Sequence, residues 1–350
     1  MIHLNSSGTA YDIGLQHGMA DPCAVRLAYE AWGDMDSVKK SQREAGIHLV
    51  EERLGHFFPE TLLEMQGIAA GSGLAYEQIV MLNCFDAIIG STLGAPRCSN
   101  IGFVASDVGV LLGKTADWNV ANPETFTLRQ HYRPVAGTGY SFKHYGCAGT
   151  LWTEGGLNEA GLAMVLNGLP VSGSFPDSVP WLALTRGVLQ YCRDVTEATE
   201  FLARHDVMCW GFNLTLADAA GELAFVEVTP GIQAIRRPDK DYLIHTNHCL
   251  CEETRGRQMD ETTLAQYGEP GLAENSLARY KKLEQIVPEA PRTLAGMQAL
   301  LRDRSTPGPI SQNGEQGQHT VYAMIIAPEQ GKIWGAEGYP PDVGFIEYGI

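Results

Sequence analysis

The sequence predicts an α+β protein in which helices cover layers of antiparallel strands. Residues 11–90 carry helical periodicity, and from residue 99 onward the apolar positions repeat with the two-residue period of strands. Pairs of helical segments interrupt the strands without regular alternation, which argues against a doubly wound parallel sheet. The chain has no internal repeat and no long linker. We therefore predict one compact domain, composed of a helical N-terminal segment (residues 1–97) and a strand-rich region (residues 98–350).

Helix-start signals place three helices in the N-terminal segment. Asp21 before Pro22 is an N-cap followed by a residue that fits the first helical turn, and Pro59 opens a second helix. A third helix is predicted over residues 76–89. Residues 90–97 then contain two glycines and a proline, which predict a surface loop.

The strand-rich region opens with a predicted hairpin of residues 101–105 and 109–115, because both runs have strand-like composition and a turn separates them. Further along, Asp194 and Glu197 have the spacing of a capping box, which marks a helix start. We predict more strands at residues 126–132, 139–145, 162–166, 212–217, 223–228 and 242–245, helices at 181–192, 195–204, 275–287 and 294–303, and a closing hairpin of 319–327 and 332–337.

Composition and charge exclude several classes of function. A chain of 350 residues with 44% hydrophobic and 19% charged positions can bury a large core, so it is neither disordered nor a low-complexity scaffold. Its net charge of -16, without a Lys/Arg-rich run, argues against nucleic acid and membrane surfaces as partners. The N-terminus lacks the features of a secretory signal, and eight cysteines show no disulfide framework. We expect a cytoplasmic protein with free thiols; the residues leave the oligomeric state open, with a homo-oligomer as one option.

Cys98 stands where the predicted surface loop passes into the first strand of the hairpin. Most cysteines are inert core residues, but this one follows a segment that should be exposed. The second strand of the hairpin leads to Asp117. Because the start of one strand and the end of the next lie side by side at about 5 Å, we expect Asp117 beside Cys98. The pattern brings a thiol and a carboxylate together.

A second polar segment, residues 245–249, follows an apolar strand and leaves several interpretations open. His245 and His248, with nearby cysteines, suggest a metal site, but their spacing matches no usual ligand pair. A papain-like pairing of Cys98 with a histidine lacks the local signature of that class. Asn247 is chemically suited to donate its side-chain amide to an oxyanion. A purely structural polar cluster is the remaining interpretation.

Several motifs occur in the order found in one enzyme family. They are YDIGLQHG (11–18), RCSNI (97–101), GKTADWN (113–119), GLNEAGL (156–162), HTNH (245–248) and NSLARY (275–280). The chain resembles the acyl-coenzyme A:isopenicillin N acyltransferase family, which belongs to the N-terminal nucleophile (Ntn) hydrolases and is similar to bile-acid and penicillin V amidases and acid ceramidase. The resemblance implies an αββα sandwich, with two antiparallel sheets between helical layers.

The resemblance also implies self-cleavage between Arg97 and Cys98 into an α chain (1–97) and a catalytic β chain (98–350) that stay associated. The freed α-amino group of Cys98 would be the general base. Its thiolate would form a thioester with a small acyl amide or acyl thioester, and would pass the acyl group to water or an amine. Asp117 would hold the α-ammonium, and Asn247 would stabilise the oxyanion. No cofactor or metal is implied, although acyl-coenzyme A is a candidate acyl donor.

Two further residues have an implied role and a plainer explanation. Arg279 matches an arginine that neutralises Asp117 or another buried carboxylate, and it is equally well explained as a cation on a helix surface. Asn167 matches an asparagine that supports the site in the amidase relatives, whereas its position before Gly168 favours a turn.

The sequence departs from its relatives at two positions. Arg97 precedes the cysteine where the penicillin-making relative has glycine. Lys114 stands where the amidases have arginine, so a bidentate contact to a carboxylate is lost. We expect Lys114, Trp118 and His245 to bind substrate or support the site.

Two other functions remain open at this stage. One is a metal-dependent hydrolase that uses His245 and His248. The other is a non-catalytic binding protein on the same fold, in which Cys98 is never freed. Within the enzyme hypothesis, the residues do not separate hydrolysis from acyl transfer.

Overall fold

The computed structural model describes residues 1–32, 38–89, 97–119, 122–173, 178–314 and 318–349. The strands are β1 (Ile2–Gly8), β2 (Ser99–Phe103), β3 (Leu111–Trp118), β4 (Thr127–Pro134), β5 (Phe142–Cys147), β6 (Gly155–Asn158), β7 (Ala163–Leu169), β8 (Gly211–Ala217), β9 (Leu223–Thr229), β10 (Ile232–Arg236), β11 (Tyr242–His245), β12 (His319–Ala327), β13 (Lys332–Ala336) and β14 (Ile346–Gly349). The helices are α1 (Ala10–Ala20), α2 (Pro22–Trp32), α3 (Lys40–Phe57), α4 (Pro59–Ser72), α5 (Tyr76–Ile89), α6 (Trp181–Tyr191), α7 (Val195–Ala203), α8 (Glu252–Arg255), α9 (Glu261–Gln266), α10 (Leu272–Ile286) and α11 (Leu294–Leu301).

The strands form two sheets. One has eight strands in the order β1-β4-β5-β6-β7-β8-β9-β10, and the other has six in the order β11-β2-β3-β12-β13-β14. Neighbouring strands run antiparallel except β1 and β4, which are parallel. The expectation of purely antiparallel sheets is wrong at this one edge. The long connection from β1 to β4 permits the parallel pairing, which a tight turn would not.

The two sheets face each other between helical layers. β2 and β3 of the six-stranded sheet contact β7 and β8 of the eight-stranded sheet. Helices α1, α6 and α7 contact the eight-stranded sheet, while α10 and α11 contact the six-stranded sheet. The layer order is helix, sheet, sheet, helix, which confirms the predicted αββα sandwich.

The helix-start signals are confirmed by their hydrogen bonds. The Asp21 side chain accepts from the Ala24 N–H at 3.0 Å, and the Asp194 side chain accepts from the Glu197 N–H at 2.9 Å. Helix α5 spans Tyr76–Ile89, as predicted. The predicted hairpin forms from β2 and β3. Residues 90–96 of the predicted surface loop lie outside the described residues.

The N-terminal segment is not purely helical, because it begins with β1, which the sequence analysis missed. Polar residues dominate this edge strand, so its apolar signal is weak. Helices α1 and α4 then pack backbone to backbone: a Cβ at Gly14 or at Gly67 would overlap a carbonyl oxygen of the opposite helix. Among the described residues, no helix has the length and apolar character needed to cross a bilayer.

Candidate active site

Backbone pairing in the hairpin fixes the positions of Cys98 and Asp117. β2 and β3 pair with Ser99 opposite Thr115, and the Arg97 N–H donates to the Asp117 carbonyl at 3.0 Å. Asp117 is therefore opposite Arg97, one residue from the position expected beside Cys98. Because side chains alternate between the faces of a sheet, Asp117 and Cys98 point to opposite faces.

Cys98 lies on the inner face of the hairpin, which is turned toward the eight-stranded sheet. On the same face, the Asn100 amide donates to the Val165 carbonyl at 3.1 Å, and Lys114 Nζ donates to the Leu166 carbonyl at 2.5 Å. Cys98 is 1% exposed. Burial raises the pKa of its thiol, while the charge and hydrogen bond of Lys114 act in the opposite direction. The thiol is therefore neutral at pH 7, and a nucleophilic role requires a base.

A buried carboxylate adjoins Lys114 on this face. Glu154 Oε2 lies 4.0 Å from Lys114 Nζ, and the carboxylate accepts hydrogen bonds from Trp118 Nε1 at 3.1 Å and Tyr322 Oη at 2.7 Å. Trp118 is 3% exposed and stacks against Phe126. Lys114 therefore lies on the same face of the hairpin as Cys98, and Trp118 is anchored beside it by its indole N–H.

On the outer face, two side chains hold the Asp117 carboxyl group. Thr320 Oγ1 donates to Oδ1 at 2.5 Å, and Gln312 Nε2 donates to Oδ2 at 2.8 Å. Burial raises the pKa of Asp117 to about 6, although the charge of Arg279 and both hydrogen bonds act to lower it. Gln312 Nε2 is also 3.4 Å from the carbonyl oxygen of Arg97. One amide thus bridges the carboxyl group and the carbonyl that precedes Cys98.

Arg279 projects from α10 and donates hydrogen bonds to several residues of the site. Its Nη1 donates to the Cys98 carbonyl at 2.5 Å and to Ser99 Oγ at 2.9 Å, and its Nη2 donates to Asn247 Oδ1 at 2.7 Å. The side chain is fully buried, so the interpretation as a surface cation is wrong. Burial lowers its pKa to about 10, with the charge of Asp117 opposing. The guanidinium therefore keeps its charge at neutral pH.

Asn247 follows β11, and both ends of its side-chain amide are engaged. Its Oδ1 accepts from Arg279, and its Nδ2 donates to the Gly168 carbonyl at 3.0 Å. Its backbone N–H donates to Ser276 Oγ at 2.8 Å. Because a carbonyl oxygen accepts and an NH₂ group donates, the contact with Arg279 directs Nδ2 away from α10 and toward β7.

Asn167 lies inside β7, so the interpretation as a turn residue is wrong. Its Nδ2 donates to the carbonyls of His245 at 3.1 Å and Thr246 at 3.2 Å. These bonds fasten the eight-stranded sheet to the end of β11. Asn167 therefore fixes the position of the backbone that carries Asn247.

The two histidines of this segment are occupied by structural contacts. His245 Nε2 lies 2.8 Å from Glu227 Oε1, and its Nδ1 lies 2.7 Å from the Thr246 carbonyl oxygen. His248 Nδ1 is 2.8 Å from Ser276 Oγ. Within the described ranges, no group of three or more His, Cys, Asp or Glu side chains is placed to hold a metal ion. The His245 side chain therefore stabilises the end of β11.

The contacts with His245 and its neighbours lower the pKa of the Glu227 carboxyl group. Burial alone would raise its pKa, but hydrogen bonds from His245 and Thr254 and from the Leu250 N–H outweigh burial and lower the pKa to about 2. The carboxylate stays ionised and holds the His245 ring in place.

Sequence reasoning missed three residues of the site: Gln312, Thr320 and Glu154. Gln312 and Thr320 are 195 and 203 positions from Asp117 along the chain, and no local pattern marks them. Gln312 N donates to Thr320 Oγ1 at 2.8 Å, so the two residues support each other. Glu154 stands just before the GLNEAGL motif. It is a single acidic residue inside an apolar region, so the sequence does not mark it as part of a site.

Together, these elements define the class of the fold: an αββα sandwich, the architecture expected for Ntn hydrolases, with a buried cysteine at the start of an inner strand. More specifically, the chain belongs to the acyl-coenzyme A:6-aminopenicillanic acid acyl-transferase family, whose sequence model matches residues 104–342. The matched region contains Asp117, Asn167, Asn247 and Arg279, and it begins C-terminal to Cys98.

An acyltransferase, an acylase and an amidase are among the known proteins to which this chain is similar. The "Acyl-coenzyme A:6-aminopenicillanic-acid-acyltransferase 40 kDa form" of Emericella nidulans is 26% identical over 256 residues, which cover 71% of this chain and 70% of that protein. The penicillin V acylase structure from Agrobacterium tumefaciens has 16% identity and a TM-score of 0.45, with 69% and 83% of the two chains covered. An N-acylethanolamine-hydrolyzing acid amidase ortholog from Caenorhabditis elegans has 14% identity and a TM-score of 0.46, with 72% and 100% covered.

Proposed function

We propose that this protein is a self-processing acyltransferase or amidohydrolase whose nucleophile is Cys98. The observation that carries the proposal is the contact of one buried guanidinium, that of Arg279, with both the Cys98 carbonyl and Asn247 Oδ1. Asp117 lies next to the same peptide bond. In this proposal Cys98 is the nucleophile, Asp117 the carboxyl group and Asn247 the amide donor; they come from the residue before β2, from β3 and from the segment after β11.

The first reaction is cleavage of the chain before Cys98. The Cys98 thiol adds to the Arg97 carbonyl carbon, the C–N bond breaks, and the nitrogen takes up the thiol proton and becomes the free α-amino group. Water then hydrolyses the thioester, which releases an Arg97 carboxylate and restores the thiol. Gln312 supports this step, because its Nε2 faces the carbonyl oxygen on which negative charge develops.

In the second reaction the freed α-amino group acts as the general base. Its reference pKa of about 7.7 to 8.0 suits neutral pH, and it can deprotonate the thiol of its own residue. Asp117 orients the α-ammonium, and Asn247 Nδ2 donates to the oxyanion of the tetrahedral intermediate. Arg279 positions both partners through the contacts described above.

Contacts between the two parts of the chain support their association after cleavage. β1 of the N-terminal part pairs with β4 along its whole length, from Ile2 to Gly8. Glu64 of α4 forms a buried ion pair with Arg186 of α6. These contacts do not involve the bond that is cut.

The substrates are small acylated amines or acyl thioesters, with acyl-coenzyme A as one candidate donor. Hydrolysis and acyl transfer differ only in whether water or an amine takes the acyl group from Cys98. All eight cysteines are free thiols in the described structure, which supports a reducing, cytoplasmic compartment.

Trapping of the acyl-enzyme tests the proposal. The protein is mixed with p-nitroanilides of phenylacetic and hexanoic acid, quenched in acid and digested, and each cysteine peptide is weighed. We expect the acyl mass on Cys98 only. The Cys249→Ala variant, which removes another buried thiol, should give the same result as wild type. Acylation that survives in Cys98→Ala, or none with any acyl donor, would overturn the proposal.

A further inference from the structure

A cavity of about 520 Å³ is lined in part by Arg97, the residue that precedes Cys98. Its walls include Arg97, Pro270, Glu274, Gln312 and Gln318. The volume falls within the range of about 300 to 1,000 Å³ that is typical of small-molecule sites. Gln312 links the cavity to the reaction, because it also contacts Asp117 and the Arg97 carbonyl.

The Arg97 side chain occupies an acidic position at this cavity. Its Nη2 donates to the Pro270 carbonyl at 3.2 Å and lies 3.6 Å from Glu269 Oε2. Both side chains of this ion pair are almost fully buried, at 6% and 4% exposure. The carboxylates of Glu261 and Asp117 add to the negative potential at the guanidinium. The surroundings of this position therefore favour a buried cation.

Gln318 provides a second, independent sign of a ligand site. It lines the cavity and is 1% exposed, and neither end of its side-chain amide has a hydrogen-bond partner among the described residues. Leaving such a group unpaired costs about 1 to 3 kcal/mol. A bound molecule with polar groups would satisfy it.

Self-cleavage would empty this position. The reaction leaves a new carboxylate on Arg97, next to the carboxyl group of Asp117, and two such groups at one site repel each other. When Arg97 withdraws, the buried Glu269 loses the cation with which it is paired. The cavity then lies open beside Gln312, whose Nε2 faces the position of the Arg97 carbonyl.

From this geometry we infer that the cavity selects the acyl group of the substrate, and that Glu269 favours acyl groups bearing a guanidinium or ammonium at the distance of an arginine side chain from the reacting carbonyl. The inference rests on the proposed function. In self-cleavage the acyl group on Cys98 Sγ is that of Arg97, and in turnover the same sulfur receives the substrate's acyl group. The amine leaves with the thiol proton, and water or an acceptor amine then takes the acyl group.

The test compares two substrates that differ only in charge: the p-nitroanilides of Nα-benzoyl-arginine and Nα-benzoyl-citrulline. Citrulline keeps the shape of arginine but is neutral. With the processed enzyme we expect kcat/KM to be at least about 30-fold higher for the arginine substrate, since the loss of one partner of a buried charge pair has effects of this size. In Glu269→Gln the preference should fall toward unity. Glu284→Gln, the same charge change at an exposed position of α10, should retain it. Cys98→Ala shows whether a contaminating protease contributes.

The outcomes separate the two claims. Equal kcat/KM for arginine and citrulline substrates would overturn the inference and leave the proposed function intact. So would acylation of Cys98 by neutral phenylacetyl or hexanoyl donors combined with no reaction of the arginine substrate. Failure of every donor to acylate Cys98 would overturn the proposed function and the inference with it.

Discussion

Arg279 Nη2 donates to Asn247 Oδ1 at 2.7 Å, while Nη1 of the same guanidinium donates to the Cys98 carbonyl. Residues 32 and 181 positions away along the chain are thereby fixed to one planar group. The fork geometry of arginine allows this, because its donors point in set directions. The relative position of Cys98 and Asn247 thus depends on one buried side chain.

Removal of that side chain should destabilise the protein. In Arg279→Ala, the oxygens of Cys98, Asn247 and Asn275 lose their buried donor, and we expect the free energy of unfolding to fall by about 3 to 5 kcal/mol. Urea denaturation measures the change. Lys281→Ala, which removes an exposed cation from the same helix, should alter it by less than about 0.5 kcal/mol. A loss below about 1 kcal/mol in Arg279→Ala would contradict this account of the cluster.

Asn247→Asp should impair turnover, and it also removes the hydrogen bond from Nδ2 to the Gly168 carbonyl. The change keeps the Oδ1 acceptor for Arg279 but removes the Nδ2 donor proposed for the oxyanion. We expect kcat to fall by about 10² to 10³, as found when one oxyanion donor is lost, with KM changed little. The measurement is steady-state kinetics with the acyl donor that acylates Cys98 most rapidly. A rise in KM at constant kcat would assign Asn247 to substrate binding instead.

The pH dependence of self-cleavage should report Asp117. Its pKa of about 6 means that the carboxylate, the form that can accept or hold a proton, accumulates as the pH rises through 6. The cleavage rate of freshly refolded protein, followed by gel or mass spectrometry, should rise with the same inflection. Asp117→Asn should be slow and lack the inflection. An inflection that persists in the variant would belong to another group.

Asp117 should also affect stability with a definite sign. Its folded pKa lies above the unfolded value near 3.8, so its contribution is most favourable below pH 3.8 and is lost as the pH rises through 6. Asp117→Asn, which is neutral throughout, should therefore gain stability relative to wild type between pH 4 and pH 7, by about 3 kcal/mol at most. Urea midpoints at several pH values test this. A constant difference across that range would be incompatible with the raised pKa.

Chelation of metal ions should leave both reactions unchanged. His245 is held by Glu227 and the Thr246 carbonyl, and His248 contacts Ser276. Dialysis against EDTA followed by a cleavage and acylation assay should give wild-type rates. Activity that disappears on dialysis and returns with zinc would favour the metal-dependent hydrolase considered from sequence.

Local signals predicted much of the fold. Strand periodicity found β7, β8, β9 and β11, and capping residues located α2 and α7. The edge strands β1, β10 and β14 were missed. They are short or partly exposed, so neither apolar alternation nor burial distinguishes them from loops.

The residues of the candidate site also divide into those that the sequence predicted and those that it did not. Cys98, Asp117, Asn247 and Arg279 could be named because each stands in a short ordered motif. Gln312 and Thr320 could not, since they meet Asp117 only after the six-stranded sheet brings β12 beside β3. The register error at Asp117 has a similar origin: a strand pattern gives the pairing of two strands, whereas the position of the turn decides which residues stand opposite each other.

The intact masses of wild type, Cys98→Ala and Cys249→Ala under denaturing conditions test the central claim most directly. Self-activation by Cys98 predicts fragments of residues 1–97 and 98–350 from wild type and Cys249→Ala, and one uncut chain from Cys98→Ala. Three uncut chains, or a Cys98→Ala chain cut at the same bond, would contradict it.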